Sequence, residues 1–349
     1  MEKILSICIP TYNRALYLKK CINSIVTQLD ESLSNKVELI VLDNNSTDNT
    51  ENIVFNFIEQ GFNVNYIKNE INIGADGNIT KAFDVANGKY VLVMGDDDYW
   101  VDDQLKKLIK LVNNTEAGII YLKPFSFSSD TEIYKSNNQS NKYYVFNNGN
   151  DFLQKINIMI TFISSNVINK QLVTNKKGFV LNKFIGTELN YLNYMYTAAL
   201  NSKYNIITYD VFIASKADNG SGYNLFEVFG KNLNLVMNYF KTEGLENRVI
   251  KRVNYVLTTD FFPSFLLKMH QEKWTFDDNK DEILFFLQNY RKKDYLCKLF
   301  LLDIYLNGLN ISFFNIIMKK IIRHTNDFLA KLFVLFGFIK GNIYMKFNN

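Results

Sequence analysis

The stretch Tyr90-Val91-Leu92-Val93-Met94-Gly95-Asp96-Asp97-Asp98-Tyr99-Trp100 decides how the rest of the chain is interpreted. Its first five residues form a continuous apolar run, which is typical of a strand buried on both faces. Three consecutive carboxylates follow, and because they repel one another, such a cluster is tolerated mainly where a cation or hydrogen-bond donors lie among them. Ligands of open α/β sheets bind outside the carboxyl ends of the strands, so this cluster is a candidate metal site.

Upstream of the cluster, apolar runs that predict strands alternate with segments of helical periodicity. The predicted strands are residues 4–9, 37–42, 64–67 and 90–94, and the predicted helices between them begin near residues 15, 49 and 75. This alternation implies a parallel sheet with right-handed crossovers. The polar loops at residues 10–14, 43–48 and 95–98 are therefore expected to emerge at one edge of the sheet and to converge on one ligand.

Length, charge and cysteine content limit the classes to which this protein can belong. The 349 residues, 47% of them hydrophobic, predict one large domain with a smaller appendage, and the net charge of +4 is too small to indicate a nucleic-acid partner. Cys8, Cys21 and Cys297 are odd in number and lack ligand-type spacing, which favours a reducing compartment over a disulfide framework. The chain enters its first strand without a signal-peptide pattern, and no stretch approaches the roughly 20 apolar residues of a membrane span. We expect a cytoplasmic protein.

Four motifs carry a resemblance to a known family. They are residues 6–14, residues 38–48, residues 69–74 together with Asn78, and residues 88–90 leading into the acidic cluster. In this order and spacing they resemble family 2 glycosyltransferases of the GT-A fold, an α/β fold with a Rossmann-like nucleotide-binding sheet and helices on both faces. The form Gly95-Asp96-Asp97-Asp98-Tyr99 resembles in particular the bacterial branch of abequosyltransferase-like surface-polysaccharide enzymes.

The resemblance implies a binding site for a nucleoside diphosphate sugar. The residues it assigns to the nucleotide sugar are Pro10, Thr11, Tyr12, Asn13, Arg14, Asp43, Asn45, Gly74, Asn78 and Asp96. The common family signature is Asp-x-Asp-Asp, and this chain has Gly95 where the first Asp usually stands. In that register Asp97 falls on the metal-binding position, and Asp98 is a second ligand or orients the first. The implied cofactor is a divalent metal, Mn²⁺ or Mg²⁺, which would stabilise the charge on the leaving nucleoside diphosphate.

An inverting transfer also needs a base near the acceptor hydroxyl. Many family members supply it from a Glu-Asp pair at the start of a helix, and the nearest counterpart here is residues 184–189, with Glu188 as the single acid. Glu188 is therefore the candidate catalytic base. The alternative is that Glu188 lies in the first turn of a helix at residues 189–200 and only complements its dipole.

Each motif also has a purely structural interpretation. Residues 43–48 are of the types that form Asx turns and helix caps, and Gly74 is typical of a turn. Residues 96–98 could form a solvated turn or a calcium loop, although the Gly-x5-Glu continuation of an EF-hand is absent from the sequence. Arg14 could be a surface charge. The joint occurrence of the motifs is what favours the nucleotide site.

The chain after the cluster is divided as follows. We predict a catalytic domain at residues 1–225, with a nucleotide-binding half at 1–115 and an acceptor-side half at 116–225. Within the second half, strands are expected near residues 118–122 and 163–168, and a loop or short hairpin within 126–150. A Gly-containing loop at residues 218–223 is comparable in place to the segment that closes over donor phosphates in related enzymes, although an ordinary loop is the alternative.

Residues 226–349 show helical periodicity and predict a helical C-terminal region. Near its end, apolar residues are interleaved with Lys319, Lys320, Arg323 and Lys331, a pattern that can lie in a membrane interface or pack on the catalytic domain. Peripheral contact with the inner face of the cytoplasmic membrane would fit an acceptor carried on a polyprenyl diphosphate lipid, as the resemblance suggests.

The function expected from the sequence is metal-dependent, inverting transfer of a sugar to a saccharide or lipid-linked saccharide acceptor in bacterial surface polysaccharide biosynthesis, such as lipopolysaccharide or capsule. Two alternatives remain open. A sugar nucleotidyltransferase usually has a Gly-rich phosphate loop after its first strand, where this chain has residues 10–14. A non-catalytic nucleotide-sugar-binding protein would keep the pocket without the chemistry.

Overall fold

A mixed sheet of nine strands, with helices on both faces, organises the residues that the computed structural model describes, which are 3–127, 142–216 and 224–262. The first elements are β1 (Leu5–Thr11), α1 (Ala15–Val26), α2 (Glu31–Ser34), β2 (Val37–Asp43), α3 (Thr50–Glu59), β3 (Val64–Lys68), α4 (Gly74–Val85), β4 (Tyr90–Val93), β5 (Tyr99–Trp100) and α5 (Gln104–Asn113). They are followed by β6 (Ile119–Phe127), β7 (Tyr143–Phe146), α6 (Gly149–Ile156), β8 (Asn166–Asn169), α7 (Lys170–Thr174), α8 (Tyr191–Asn201), β9 (Asn205–Lys216), α9 (Leu233–Phe240) and α10 (Asn247–Val256).

The strand order is β3-β2-β1-β4-β8-β6-β9-β5, and β7 pairs with β9. β1 lies parallel to β2 and β4, and β2 lies parallel to β3, as the alternating pattern predicts. The sheet is not parallel throughout, however, because β8 runs antiparallel to both β4 and β6. The parallel arrangement predicted from the first four strands is therefore confirmed, and the strands after β4 make the whole sheet mixed.

The first strands form where the sequence is continuously apolar, since helices cover both of their faces. Leu5, Ile7 and Ile9 of β1 pack in one core with Leu18 and Ile22 of α1, and all five side chains are fully buried. α4 contacts β1 and β4, and α8 in turn contacts α4 and β8. These layers leave the carboxyl ends of β1, β2 and β4 as the edge at which polar loops can gather.

Gly88 is required where the chain approaches β1 before β4. A Cβ atom at this position would lie 2.6 Å from the backbone nitrogen of Ser6, a separation that real side chains essentially never show. The Gly88 amide donates a hydrogen bond to Ser6 Oγ at 2.8 Å, and the same hydroxyl donates to Glu38 Oε2 at 2.5 Å. A short polar chain therefore links β4, β1 and β2 at the edge opposite the acidic cluster.

The described part of the C-terminal region is helical, as the periodicity predicts. π-helical segments at Phe226–Asn232 and Leu257–Phe261 flank α9 and α10, and these helices contact α6 and α8. They belong to the same compact unit as the sheet. Among the helices of the described ranges, none is both long enough and apolar enough to cross a membrane.

The predicted elements can be compared with those observed. The strand expected near residues 163–168 begins only at Asn166, after a 3₁₀ turn at Ile163–Ser165, and the strand expected at 118–122 extends to Phe127. The helix expected to begin at residue 189 begins at Tyr191. The loop at 218–223, most of the stretch 126–150, Cys297 and the basic amphipathic segment lie outside the described residues.

Candidate active site

Three loops meet at the carboxyl edge of the sheet. Thr11 Oγ1, at the end of β1, donates a hydrogen bond to Asp96 Oδ2 at 2.7 Å. The Asn13 backbone amide donates to Ser46 Oγ at 2.9 Å, and Asn13 Oδ1 accepts from the Thr47 amide at 2.8 Å. Because the register of β1 and β2 pairs Thr11 with Asp43, the loops after these strands leave the sheet side by side. The structure thus brings together the loops at residues 10–14, 43–48 and 95–98.

The carboxylates of the acidic cluster have different surroundings. Asp96 and Asp98 are 4% and 5% exposed, and Asp97 is more accessible. The guanidinium of Arg14 lies 3.3 Å from Asp96 Oδ1 and 2.6 Å from Asp97 Oδ2. Asp98 Oδ2 accepts a hydrogen bond from Ser164 Oγ at 2.5 Å, and its Oδ1 accepts from the backbone amide of Lys216 at 3.3 Å.

Two carboxyl groups of the cluster have raised pKa values. Burial and, to a smaller extent, the charge of Asp97 raise the pKa of Asp98 to about 7, although the hydrogen bond from Ser164 lowers it. Burial also raises the pKa of Asp96 to about 6, against the lowering effects of Arg14 and Thr11. A nearby positive charge would favour the ionised form of both carboxyl groups. Carboxyl groups with pKa values raised this much are typical of sites that bind a cation or catalyse a reaction.

The donor set fits a hard divalent metal. Asp97 and Asp98 present carboxylate oxygens, which are the ligands that Mg²⁺ and Mn²⁺ prefer, and Mg²⁺ is usually held by one or two carboxylates together with substrate phosphates. Within the described ranges, no group of three His, Cys, Asp or Glu side chains is arranged to hold a metal ion by itself.

Two cations beside the cluster share one aromatic ring. The Arg14 guanidinium lies 5.0 Å from the centroid of the Tyr17 ring, and the Lys216 ammonium lies 4.6 Å from the same centroid. Such contacts hold long basic side chains in place by cation–π attraction. The Tyr17 ring thus contacts a cation from the loop after β1 and a cation from the end of β9, two residues that also bond to the acidic cluster. Lys216, Ser164 and Tyr17 were not predicted from the sequence as site residues.

Asp43 is fully buried at the end of β2. Its Oδ1 accepts a hydrogen bond from the Ser46 amide at 2.8 Å, and its Oδ2 accepts from Tyr66 Oη at 2.6 Å. The next residue but one, Asn45, has a left-handed φ of 68°, a conformation that Asn adopts more readily than most residues. Tyr12, on the facing loop, is 45% exposed.

Gly74 and Asn78 belong to an amide network beneath these loops. Asn78 accepts a hydrogen bond from Asn69 Nδ2 at 2.9 Å and donates to the Leu42 carbonyl at 3.0 Å. Asn44 Nδ2 donates to the Gly74 carbonyl at 3.2 Å, and Gly74 has a φ of 77°. In this structure both residues therefore shape the loop after β2 through contacts within the protein.

Glu188 lies in the turn before α8. It is exposed and has a left-handed φ of 60°. Burial and the charge of Asp76 raise the pKa of the Glu188 carboxyl above its ordinary value. α8 begins at Tyr191 and has no acidic residue in its first turn, so Glu188 lies just before the helix and not within it.

A family model described as "Glycosyl transferase family 2" matches residues 6–174, which include the loops that carry the site. The chain contains a glycosyl transferase family 2 domain. Its acidic cluster and the loops after β1 and β2 lie within the matched residues, whereas Glu188 and Lys216 lie beyond them.

Relatives of the family 2 domain are named glycosyltransferases. The chain is 30% identical over 180 residues to abequosyltransferase RfbV of Salmonella typhimurium, an alignment that covers 48% of this chain and 53% of that protein. It is 34% identical over 116 residues to the GalNAc(5)-diNAcBac-PP-undecaprenol beta-1,3-glucosyltransferase of Campylobacter jejuni, covering 33% of this chain and 36% of that protein. The alignments thus span about half or less of these relatives.

The fold of the family 2 domain is that of GT-A glycosyltransferases. The crystal structure of S. aureus TarS 1-349 superposes with a TM-score of 0.58 at 17% identity, covering 82% of this chain and 80% of that one. TarS has also been solved in complex with UDP and with UDP-GlcNAc. At this level of identity the similarity concerns the fold.

Proposed function

We propose that the protein is a glycosyltransferase that moves a sugar from a nucleoside diphosphate sugar to a saccharide or lipid-linked saccharide acceptor in bacterial surface polysaccharide biosynthesis. The observation that carries the proposal lies within the family 2 domain: hydrogen bonds join the end of β1 to Asp96 after β4, and the loop after β1 to the loop after β2. The names of the relatives from Salmonella typhimurium and Campylobacter jejuni support this function.

The donor would bind along the carboxyl edge of the sheet. We assign the base and ribose to the loop at residues 10–14, to Asp43 and Asn45 after β2, and to Asp96. The diphosphate would then lie by Asp97, where Arg14 and Lys216 place positive charge close to its oxygens. TarS, which shares this fold, binds UDP and UDP-GlcNAc, which supports a donor of the same chemical class.

Asp97 and Asp98 are the residues that would hold Mg²⁺ or Mn²⁺. When bound there, the ion would stabilise the negative charge that develops on the leaving nucleoside diphosphate. Ser164 and the Lys216 amide orient Asp98 by hydrogen bonds to its two oxygens, and Arg14 orients Asp97. The chain's own contribution is thus to fix the direction in which both carboxylates present their oxygens.

Glu188 is the proposed base. Its carboxylate would accept the proton of the acceptor hydroxyl as the oxygen of that hydroxyl attacks the anomeric carbon and the bond to the diphosphate breaks. A raised pKa suits this role, because a base is most effective when its pKa approaches the working pH. A single displacement of this kind inverts the anomeric configuration.

The proposed location is cytoplasmic, at the inner face of the cytoplasmic membrane when the acceptor is lipid-linked. The name of the Campylobacter jejuni relative includes an undecaprenol-linked acceptor, which supports a polyprenyl diphosphate carrier. The basic amphipathic segment near the C-terminus would provide peripheral contact. Sedimentation of the full chain and of a truncation ending at residue 310 with anionic vesicles tests this: equal sedimentation of the two would contradict it.

The test of the proposed function is turnover by the purified chain. It is incubated with a panel of nucleoside diphosphate sugars and Mn²⁺, and the release of nucleoside diphosphate is measured with and without EDTA. Glu188→Gln should abolish turnover, whereas Glu59→Gln, an exposed residue at the end of α3, should not. Tight binding without turnover would indicate a non-catalytic binder, and release of pyrophosphate from a sugar phosphate and a nucleoside triphosphate would indicate a nucleotidyltransferase. The anomeric configuration of the transferred sugar tests inversion.

A further inference from the structure

Asp76, in the first turn of α4, accepts hydrogen bonds from alternate amides of a distant turn. Its Oδ2 accepts from the backbone amides of Gly186 and Glu188, both at 2.9 Å, and its Oδ1 accepts from the backbone amide of Asn190 at 3.0 Å. These partners lie 110 to 114 residues further along the chain. The Asp76 side chain is only 5% exposed, so both oxygens are committed to this turn.

The turn that Asp76 holds has an unusual backbone. Gly186 and Glu188 both have left-handed φ values, of 89° and 60°. A glutamate rarely adopts this conformation, and such a conformation persists where the surroundings over-determine it. Asn190 adds a second fixed point, because its fully buried side chain accepts from the Phe184 amide and donates to Thr80 Oγ1 of α4, both at 2.8 Å.

We infer that Asp76 is the positioning residue for Glu188, holding the turn that carries this carboxyl at the carboxyl edge of the sheet. α4 follows β3 and begins at that edge, so the hydrogen bonds from residues 186–190 bring the turn to the side of the sheet where Asp96 lies. The inference rests on the proposed function, in which Glu188 is the base. Asp76 itself does not touch the reacting atoms.

A role in stabilising α4 alone does not account for this geometry. A carboxylate in the first turn of a helix interacts favourably with the helix dipole wherever its oxygens point. Here three amides from outside α4 converge on the two oxygens, and they include the amide of Glu188 itself. Asp84, exposed near the end of the same helix, provides a matched comparison because the same change of charge there leaves the turn untouched.

Asp76 also acts on Glu188 through its charge. Burial is the larger cause of the raised pKa of the Glu188 carboxyl, and the negative charge of Asp76 is the second cause. Removing that charge lowers the pKa of Glu188, so the deprotonated base persists to lower pH. The acidic limb of the kcat profile should therefore move to lower pH when Asp76 is neutral.

The experiment compares wild type with Asp76→Asn, Asp76→Glu and Asp84→Asn. In Asp76→Asn, one side of the amide can no longer accept, so we expect kcat to fall by about 10- to 100-fold, a typical effect of a misplaced catalytic group, with donor KM changed little. The acidic limb should move to lower pH. Asp76→Glu keeps the charge and should recover part of kcat with the limb in its wild-type position. Asp84→Asn should match wild type.

Hydrogen exchange at residues 186–190 provides a readout that does not depend on turnover. Exchange there should be faster in Asp76→Asn than in Asp84→Asn. If Asp76→Asn does not fold, a kcat in Asp76→Glu equal to that of wild type, together with unchanged exchange at residues 186–190, would overturn the inference. If Asp76→Asn folds, the inference would be overturned by an unchanged kcat, an unchanged acidic limb and unchanged hydrogen exchange. This holds provided that wild type turns over and Glu188→Gln does not. An inactive wild type, or a fully active Glu188→Gln, would instead contradict the proposed function.

Discussion

The guanidinium of Arg14 contacts both Asp96 and Asp97, so a single cation from the loop after β1 bridges two of the three carboxylates after β4. A metal ion bound at Asp97 would act on the same negative charge. Arg14 and a divalent ion are therefore expected to stabilise the cluster by the same means, and the loss of one should increase the effect of the other.

Replacing Arg14 by Ala tests this relationship. Without metal, the variant should lose about 1–2 kcal/mol of unfolding free energy, less than for a fully buried pair because the Arg14 side chain is 37% exposed. Adding Mn²⁺ should raise the melting temperature of Arg14→Ala by more than that of wild type, as measured by calorimetry in EDTA and in MnCl₂. Lys19→Ala, an exposed change on α1, is the control. Equal shifts with Mn²⁺ in both proteins would contradict the shared role.

Asp97→Ala should remove activity and leave the fold intact. Loss of a group that stabilises transition-state charge typically lowers kcat by about 100- to 1,000-fold, and we expect a decrease in this range. The unfolding free energy should change by less than about 1 kcal/mol, since a partly accessible charge is lost from a repelling cluster. Turnover with Mn²⁺ and urea unfolding measure the two effects. Asp102→Ala, at an exposed neighbouring carboxylate, should keep wild-type turnover; turnover in Asp97→Ala equal to it would overturn the metal assignment.

Tyr66→Phe should destabilise the protein by about 1–3 kcal/mol, because it leaves one oxygen of the fully buried Asp43 without its hydroxyl donor at 2.6 Å. Affinity for the nucleotide should fall as well, since Asp43 lies in the proposed pocket for the nucleobase. Urea unfolding and nucleotide titration check both outcomes. Tyr209→Phe is the control, because Tyr209 is exposed and lies on β9, five strands from β2 in the sheet. Similar stabilities of the two variants would show that the Tyr66 hydroxyl does not support Asp43.

Stability should depend on pH through Glu38. Burial raises the pKa of this carboxyl, but hydrogen bonds from Ser6 and Asn87 outweigh burial and bring the pKa below 4.5, its ordinary value. A lowered folded-state pKa contributes stability above about pH 4.5, and that contribution is lost as the pH falls through the folded-state value. Glu38→Gln should therefore be less stable than wild type at pH 7, by about 1 kcal/mol, and the difference should shrink below pH 4. Urea unfolding across this range measures it; a difference that is constant with pH would exclude the linkage.

The first half of the fold was predictable because its signals are local. A strand buried on both faces must be continuously apolar, and a helix on one face must have apolar residues at helical spacing, so β1 through β4 follow from the sequence within one or two residues. Parallel strands that alternate with helices place their carboxyl ends together, which is why the convergence of Thr11, Ser46 and Asp96 could be anticipated.

The other contributors to the site could not be predicted in the same way. Ser164 reaches Asp98 because β8 runs antiparallel beside β4, and Lys216 reaches it because Tyr99 pairs with Ala214 at the end of β9. Both contacts depend on long-range pairing that leaves no periodicity in the sequence. The contact of Asp76 with the turn that carries Glu188 could not be predicted either. An aspartate in the first turn of a helix is already accounted for by its interaction with the helix dipole, so its sequence position does not indicate a distant partner.

The antiparallel insertion of β8 also has a consequence for the order in which the protein is made. A chain synthesised from its N-terminus completes β1 through β4 and exposes Asp96, Asp97 and Asp98 well before Ser164 and Lys216 are translated. Arg14 is already present at that stage, so it is the first neutralising partner that the nascent cluster can acquire, and Asp98 gains its two donors last. The first four strands can therefore begin to pair during synthesis, whereas the full set of contacts around Asp98 must wait for the end of β9.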